Sequence, residues 1–113
     1  MKKHTPHEEY VRSVRQQAAL VAQAMLDERL SFLIGSRQLA GLRYETDITD
    51  DDADFLIFVA IDSETDAFPL GSVREHWDPL ALAKLEPKIK EAELWASSVG
   101  ADACRSLIAR FAE

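Results

Sequence analysis

A chain of 113 residues, 47% apolar and 29% charged, is sized and composed for a single domain over 1–113 and excludes wholesale disorder. Its single cysteine, Cys104, excludes an intrachain disulfide and a cysteine-based metal site, and makes a reducing compartment the natural home. The net charge of −7 argues against general nucleic-acid binding, which needs Lys and Arg to displace counterions, and against docking on anionic lipid.

The charge is uneven along the chain. Residues 1–43 are net basic and residues 74–113 are close to neutral. Between them, residues 44–73 hold nine carboxylates and no lysine or arginine. The longest apolar run, Phe55 to Ile61, is far short of the ~20 residues a membrane span needs. Met1 to Thr5 is basic and polar with no apolar run behind it, so no secretory signal is read and a cytoplasmic location is expected.

Thr5-Pro6-His7-Glu8 places a hydroxyl at the N-cap, proline at N1 and glutamate at N3, the start of a first helix. Val11, Val14, Ala18, Val21, Met25 and Phe32 then recur at three- and four-residue steps, interrupted at Glu28. Read to Ile34, this helix is about 43 Å long, with a break allowed near Leu30-Ser31. Gly35 reads as its C-terminal stop, and Ser36 as the cap of a short second helix through Tyr44.

Residues 45–54 read as an acidic loop leading into a helix start, where Asp suits the positive end of the helix dipole. The run Phe55 to Ile61 is ambiguous between strand and buried helix. A central buried helix is favoured, because a lone hairpin in so short a chain cannot cover both apolar faces. The alternative is an α+β fold with one β-hairpin at 55–77, pairing residues 55–61 with residues 72–77. Pro69-Leu70-Gly71 marks a turn, and Asp78-Pro79 starts the last helix. Pro87 predicts a kink or restart after Glu86. From Leu85 the stripe Ile89, Ala92, Ala96, Val99, Ala103, Leu107 and Phe111 follows, with Gly100 as an interior weak point and Cys104 beside it as a buried structural thiol. The fold expected is mainly α, a compact helical bundle with two long terminal helices around a short apolar central segment.

Gly35-Ser36-Arg37 followed by Asp52-Ala53-Asp54 resembles the nucleotidyltransferase pattern, in which Gly-Ser holds a triphosphate and paired carboxylates bind Mg²⁺. That resemblance implies a phosphate contact at Ser36 and metal ligation at Asp52 and Asp54, with Asp62 as a third carboxylate. The pattern wants a strand before Gly-Ser, where this chain is strongly helical, so a helix corner with a capping cluster competes with it. Asp62-Ser63-Glu64-Thr65-Asp66 alternates carboxylates and hydroxyls but lacks the spacing of a calcium loop, and His4 with His7 lacks a third ligand. No Ser-His-Asp or Cys-His arrangement is visible. No cofactor is expected. Arg37 and Arg43 are expected to face the acidic segment.

Phe58 to Asp66 with Pro69-Leu70-Gly71, Arg74 and Trp77 resembles a motif of a family of small uncharacterised bacterial proteins. Ser31 to Arg37 with Leu39 and Leu42-Arg43, and Cys104 to Ile108, are similar to it as well. The resemblance spans nearly the whole chain and implies no activity, cofactor or catalytic residue.

The leading expectation is a non-enzymatic acidic protein-binding module, of the immunity or antitoxin inhibitor type, with a basic protein as partner. The residues expected to bind it are Asp50, Asp51, Asp52, Asp62, Glu64 and Asp66, with Arg74 and Trp77 beside them. The alternative is an enzyme of Mg-nucleotide chemistry.

Overall fold

The computed structural model describes residues 5–112. Its elements are α1 (Pro6–Leu26), α2 (Phe32–Leu42), α3 (Ala53–Thr65) and α4 (Pro79–Phe111), with short 3-10 helices at Arg43–Thr46 and Gly71–His76. There is no strand among the described residues, so the chain is mainly α and the hairpin alternative is excluded. α1 packs chiefly on α4, and α2 on α3, so the pair of long terminal helices lies against the central pair, α4 touching both α2 and α3.

α1 begins as its sequence dictates. The Thr5 side chain accepts from the Glu8 amide at 3.1 Å, while the Glu8 carboxylate accepts from the Thr5 amide at 3.3 Å. Val11, Val14, Ala18, Ala22 and Met25 form its buried face. Its end differs from the sequence reading. α1 stops at Leu26, and Glu28 takes a left-handed conformation with φ of 60°. The Arg29 amide donates to Ala24 at 2.9 Å and the Glu28 amide to Met25 at 3.2 Å, the paired bonds of a Schellman stop.

The expected caps at Gly35 and Ser36 are therefore corrected. Ser31 is the N-cap of α2, its hydroxyl accepting from the Ile34 amide at 3.2 Å. Glu93 of α4 completes the cap across the fold, accepting from the Phe32 and Leu33 amides at 3.1 Å each and from the Ser31 hydroxyl. Gly35 instead lies inside α2, where a Cβ would overlap the Met25 thioether. Glycine is there because two helices meet closely.

The apolar run 55–61 is helix. Asp52 caps it, accepting from the Asp54 and Phe55 amides at 3.1 and 3.3 Å. Phe55, Phe58 and Ile61 are buried at steps of three, and each contributes about 2 kcal/mol by leaving water. Leu56 on the opposite side is exposed, because α3 is covered by α2 and α4 and not all round.

α4 runs unbroken through Pro87, so of the kink or restart that the sequence predicts there, the restart does not occur. The proline leaves the Ala83 carbonyl without its helical donor, but both residues are exposed, so the freed carbonyl is open to solvent. The buried face of α4 is Ile89, Ala96, Gly100, Ala103, Cys104 and Leu107; Val99, expected in the stripe, is exposed. A Cβ on Gly100 would sit 3.2 Å from the Phe32 ring and 3.3 Å from Ile61, so this glycine marks a close crossing. Burial of Cys104 pushes its thiol up to about 12, as befits a structural thiol. None of residues 79–88 is buried, so the start of α4 projects and the molecule measures 60 × 27 × 25 Å. No helix among the described residues is long and apolar enough to cross a membrane.

Candidate functional site

The structure sorts the nine central carboxylates by what they touch. At the start of α3, Arg110 from the end of α4 reaches both Asp52 and Asp54 at 2.7 Å. The Ser106 hydroxyl donates to Asp54 at 2.6 Å. Asp52, only 12% exposed, is held below the ordinary carboxylate range by hydrogen bonding to the Arg110 guanidinium, against the opposing pull of burial. Farther along, Asp62 pairs with Arg37 at 3.4 Å. Asp47 lies 4.0 Å from His7, and Glu45 accepts from the Tyr10 hydroxyl. These five are each engaged by another side chain.

Four remain open. Asp50, Asp51, Glu64 and Asp66 are exposed and have no ion pair or side-chain hydrogen bond among the described residues. They form two pairs at opposite ends of a 13-residue helix, about 20 Å apart. The six predicted carboxylates are thus not one surface: Asp52 and Asp62 are engaged, and the rest divide between the two ends of α3. Of the two arginines expected to face the acidic segment, Arg37 does so, and Arg43 lies over the Tyr44 ring at 4.3 Å.

The end bearing Glu64 and Asp66 has an apolar floor beside it. A groove of about 280 Å³ between α3 and α4 is lined by Glu64, Thr65, Phe68, Lys88, Glu91 and Trp95. Trp95 is 40% exposed and Phe68 is half-buried. Arg37 shapes this end. Its guanidinium donates to the Thr65 carbonyl and, at 3.0 Å, to the Phe68 carbonyl. The arginine thereby satisfies carbonyls at the helix C-terminus and leaves Glu64 and Asp66 unneutralised. Phe68, Glu91 and Trp95 were not singled out from sequence. Their available signal was a tryptophan lying off the buried stripe of an otherwise regular amphipathic helix.

Arg74 and Trp77 occupy the projecting arm. Arg74 pairs with Glu86 of α4, and Trp77 is 38% exposed where the 3-10 helix ends. Val73 and Leu80 beside them in sequence are exposed as well.

The residues of the nucleotidyltransferase pattern are placed as follows. Ser36 is fully buried inside α2, and its hydroxyl has no partner among the described residues. Asp52 and Asp54 face Arg110. Thr65 turns its hydroxyl back to the Ile61 carbonyl at 2.7 Å. No group of three or more His, Cys, Asp or Glu among the described residues is arranged to hold a metal ion, and His4 lies outside those residues. No protein family, curated protein or solved structure matches the chain.

Proposed function

We propose that the protein is an acidic protein-binding module, of the immunity or antitoxin inhibitor kind, that covers a basic and partly apolar surface on another protein. The observation that carries this reading is the groove between α3 and α4. A partly exposed Trp95 and Phe68 line it, and Glu64 and Glu91 outnumber the single Lys88 there. Asp66, just beyond the end of α3, extends the same charge. Aromatic anchors suit the centre of a docking surface, while unpaired carboxylates steer and orient a cationic partner. Docking there requires no rearrangement of the ion pairs that hold the fold.

A synthetic basic amphipathic peptide, followed by tryptophan fluorescence, tests the reading. Saturable binding that weakens with added salt is expected, as is a loss of about tenfold or more in Trp95→Ala. An acidic peptide of the same apolar content should not bind. Equal binding of both peptides, or indifference to Trp95→Ala, contradicts the proposal.

A further inference from the structure

We infer that the cleft between the start of α1 and the end of α4 binds a small monoanionic carboxylate with an apolar body, anchored by Arg15. This cleft has a volume of about 620 Å³, within the range of roughly 300–1,000 Å³ common for small-molecule sites. It lies about 24 Å along α4 from Trp95 and is independent of the groove there.

The cleft gathers cations in an acidic molecule. In a chain of net charge −7, His7, Arg12, Arg15 and Arg110 line it beside the carboxylates of Glu8 and Asp47. Arg110 is committed to Asp52 and Asp54. Arg15 is not committed to any carboxylate among the described residues. Its Nε donates to the Thr46 carbonyl at 2.8 Å and one terminal nitrogen to the Asp47 carbonyl at 3.5 Å. A guanidinium has five N–H donors, so three stay open while two backbone carbonyls hold the group in place. That is a cation pre-oriented for an oxyanion, with its own charge unanswered.

The walls restrict the ligand. The Phe111 ring centre lies 5.4 Å from the Arg15 guanidinium carbon and 4.8 Å from that of Arg110. Together with Val11 it gives the cleft an apolar side. Glu8 and Asp47 at the same cleft repel a second negative charge, which disfavours phosphoryl groups and favours a single carboxylate. A planar carboxylate matches the guanidinium fork, and its apolar body would lie against Phe111 and Val11.

The test is an NMR titration of the full chain with benzoate, beside benzamide and inorganic phosphate as probes lacking the charge or the apolar body. Benzoate is expected to give saturable shifts confined to amides of α1's first half, Thr46-Asp47 and the end of α4. Arg15→Gln should weaken it about tenfold or more, and benzamide and phosphate should bind more weakly by a similar factor. Arg15→Lys keeps the charge without the fork and should also weaken binding, which covers the case in which Arg15→Gln does not fold. Unsaturable or scattered shifts, phosphate binding as tight as benzoate, or an unchanged affinity in a folded Arg15 variant overturns the inference.

Discussion

The two ends of α3 carry similar acidic runs and put them to different uses. At the N-terminal end, Arg110 is directed at the carboxylates themselves, joining Asp52 and Asp54 to the last turn of α4. At the C-terminal end, Arg37 satisfies the carbonyls of Thr65 and Phe68 and one carboxylate, Asp62, leaving Glu64 and Asp66 to solvent. One arginine neutralises acidity and the other preserves it. The same local composition thus gives a structural clamp at one end and an available surface at the other. A charge count along the sequence does not separate the two; the position of the arginine does.

Substitutions that break this comparison should differ in size. Arg110→Ala is expected to have the largest effect, a loss of about 2 kcal/mol in urea unfolding. It strands two largely buried carboxylates, and the partial exposure of Arg110 keeps the figure below that of a fully buried pair. The same clamp sets a pH signature. Because the folded Asp52 titrates below its ordinary value of 3.8, the stability it contributes is fully present above that value. That contribution disappears as the pH falls through the lowered value, so the gap between wild type and Arg110→Ala should close on acidification. Arg37→Ala should lose about 1.5 kcal/mol by the same measurement, since it frees carbonyls that water can partly reach.

Glu28 supplies a carboxylate with neither use, whose backbone is the strained part. Glu28→Gly should stabilise by about 1 kcal/mol, seen as a higher Tm, because glycine adopts its positive φ without penalty. Smallest of all, Glu64→Gln with Asp66→Asn should change stability by less than about 0.5 kcal/mol, because neither side chain holds another part of the fold. A large loss in that pair would show that the open end is structural after all.

Much of the fold was legible because local signals and tertiary packing agree. The Thr5 capping box and the Asp78-Pro79 start appear as read, and the helix start expected after the acidic stretch 45–54 is capped by Asp52. The apolar run 55–61 is helical because α2 and α4 lie against it, which its own composition does not specify. The end of α1 was not legible. Its left-handed stop falls on Glu28, where sequence rules expect glycine, so the nearby Gly35 reads as the stop instead. Gly35 and Gly100 are packing glycines, and the neighbours that demand them come from distant chain segments. The capping of α2 by Glu93 was hidden for the same reason, with 62 residues separating Ser31 from its partner.

The candidate site was legible only in part. Acidity over 44–73 was plain, but which carboxylates are free depends on where Arg37 and Arg110 land. The aromatic floor comes from Trp95 on another helix. Ser36 shows the opposite case, a polar residue in a suggestive motif that the fold buries without a partner.

Charge reversal at each end of α3 tests the central claim most directly. The affinity of the basic amphipathic peptide is to be compared between Glu64→Lys/Asp66→Lys and Asp50→Lys/Asp51→Lys at equal ionic strength. The account predicts a loss of about tenfold or more for the first pair and only a small, salt-screened loss for the second. Equal losses, or the larger loss at Asp50 and Asp51, would contradict it.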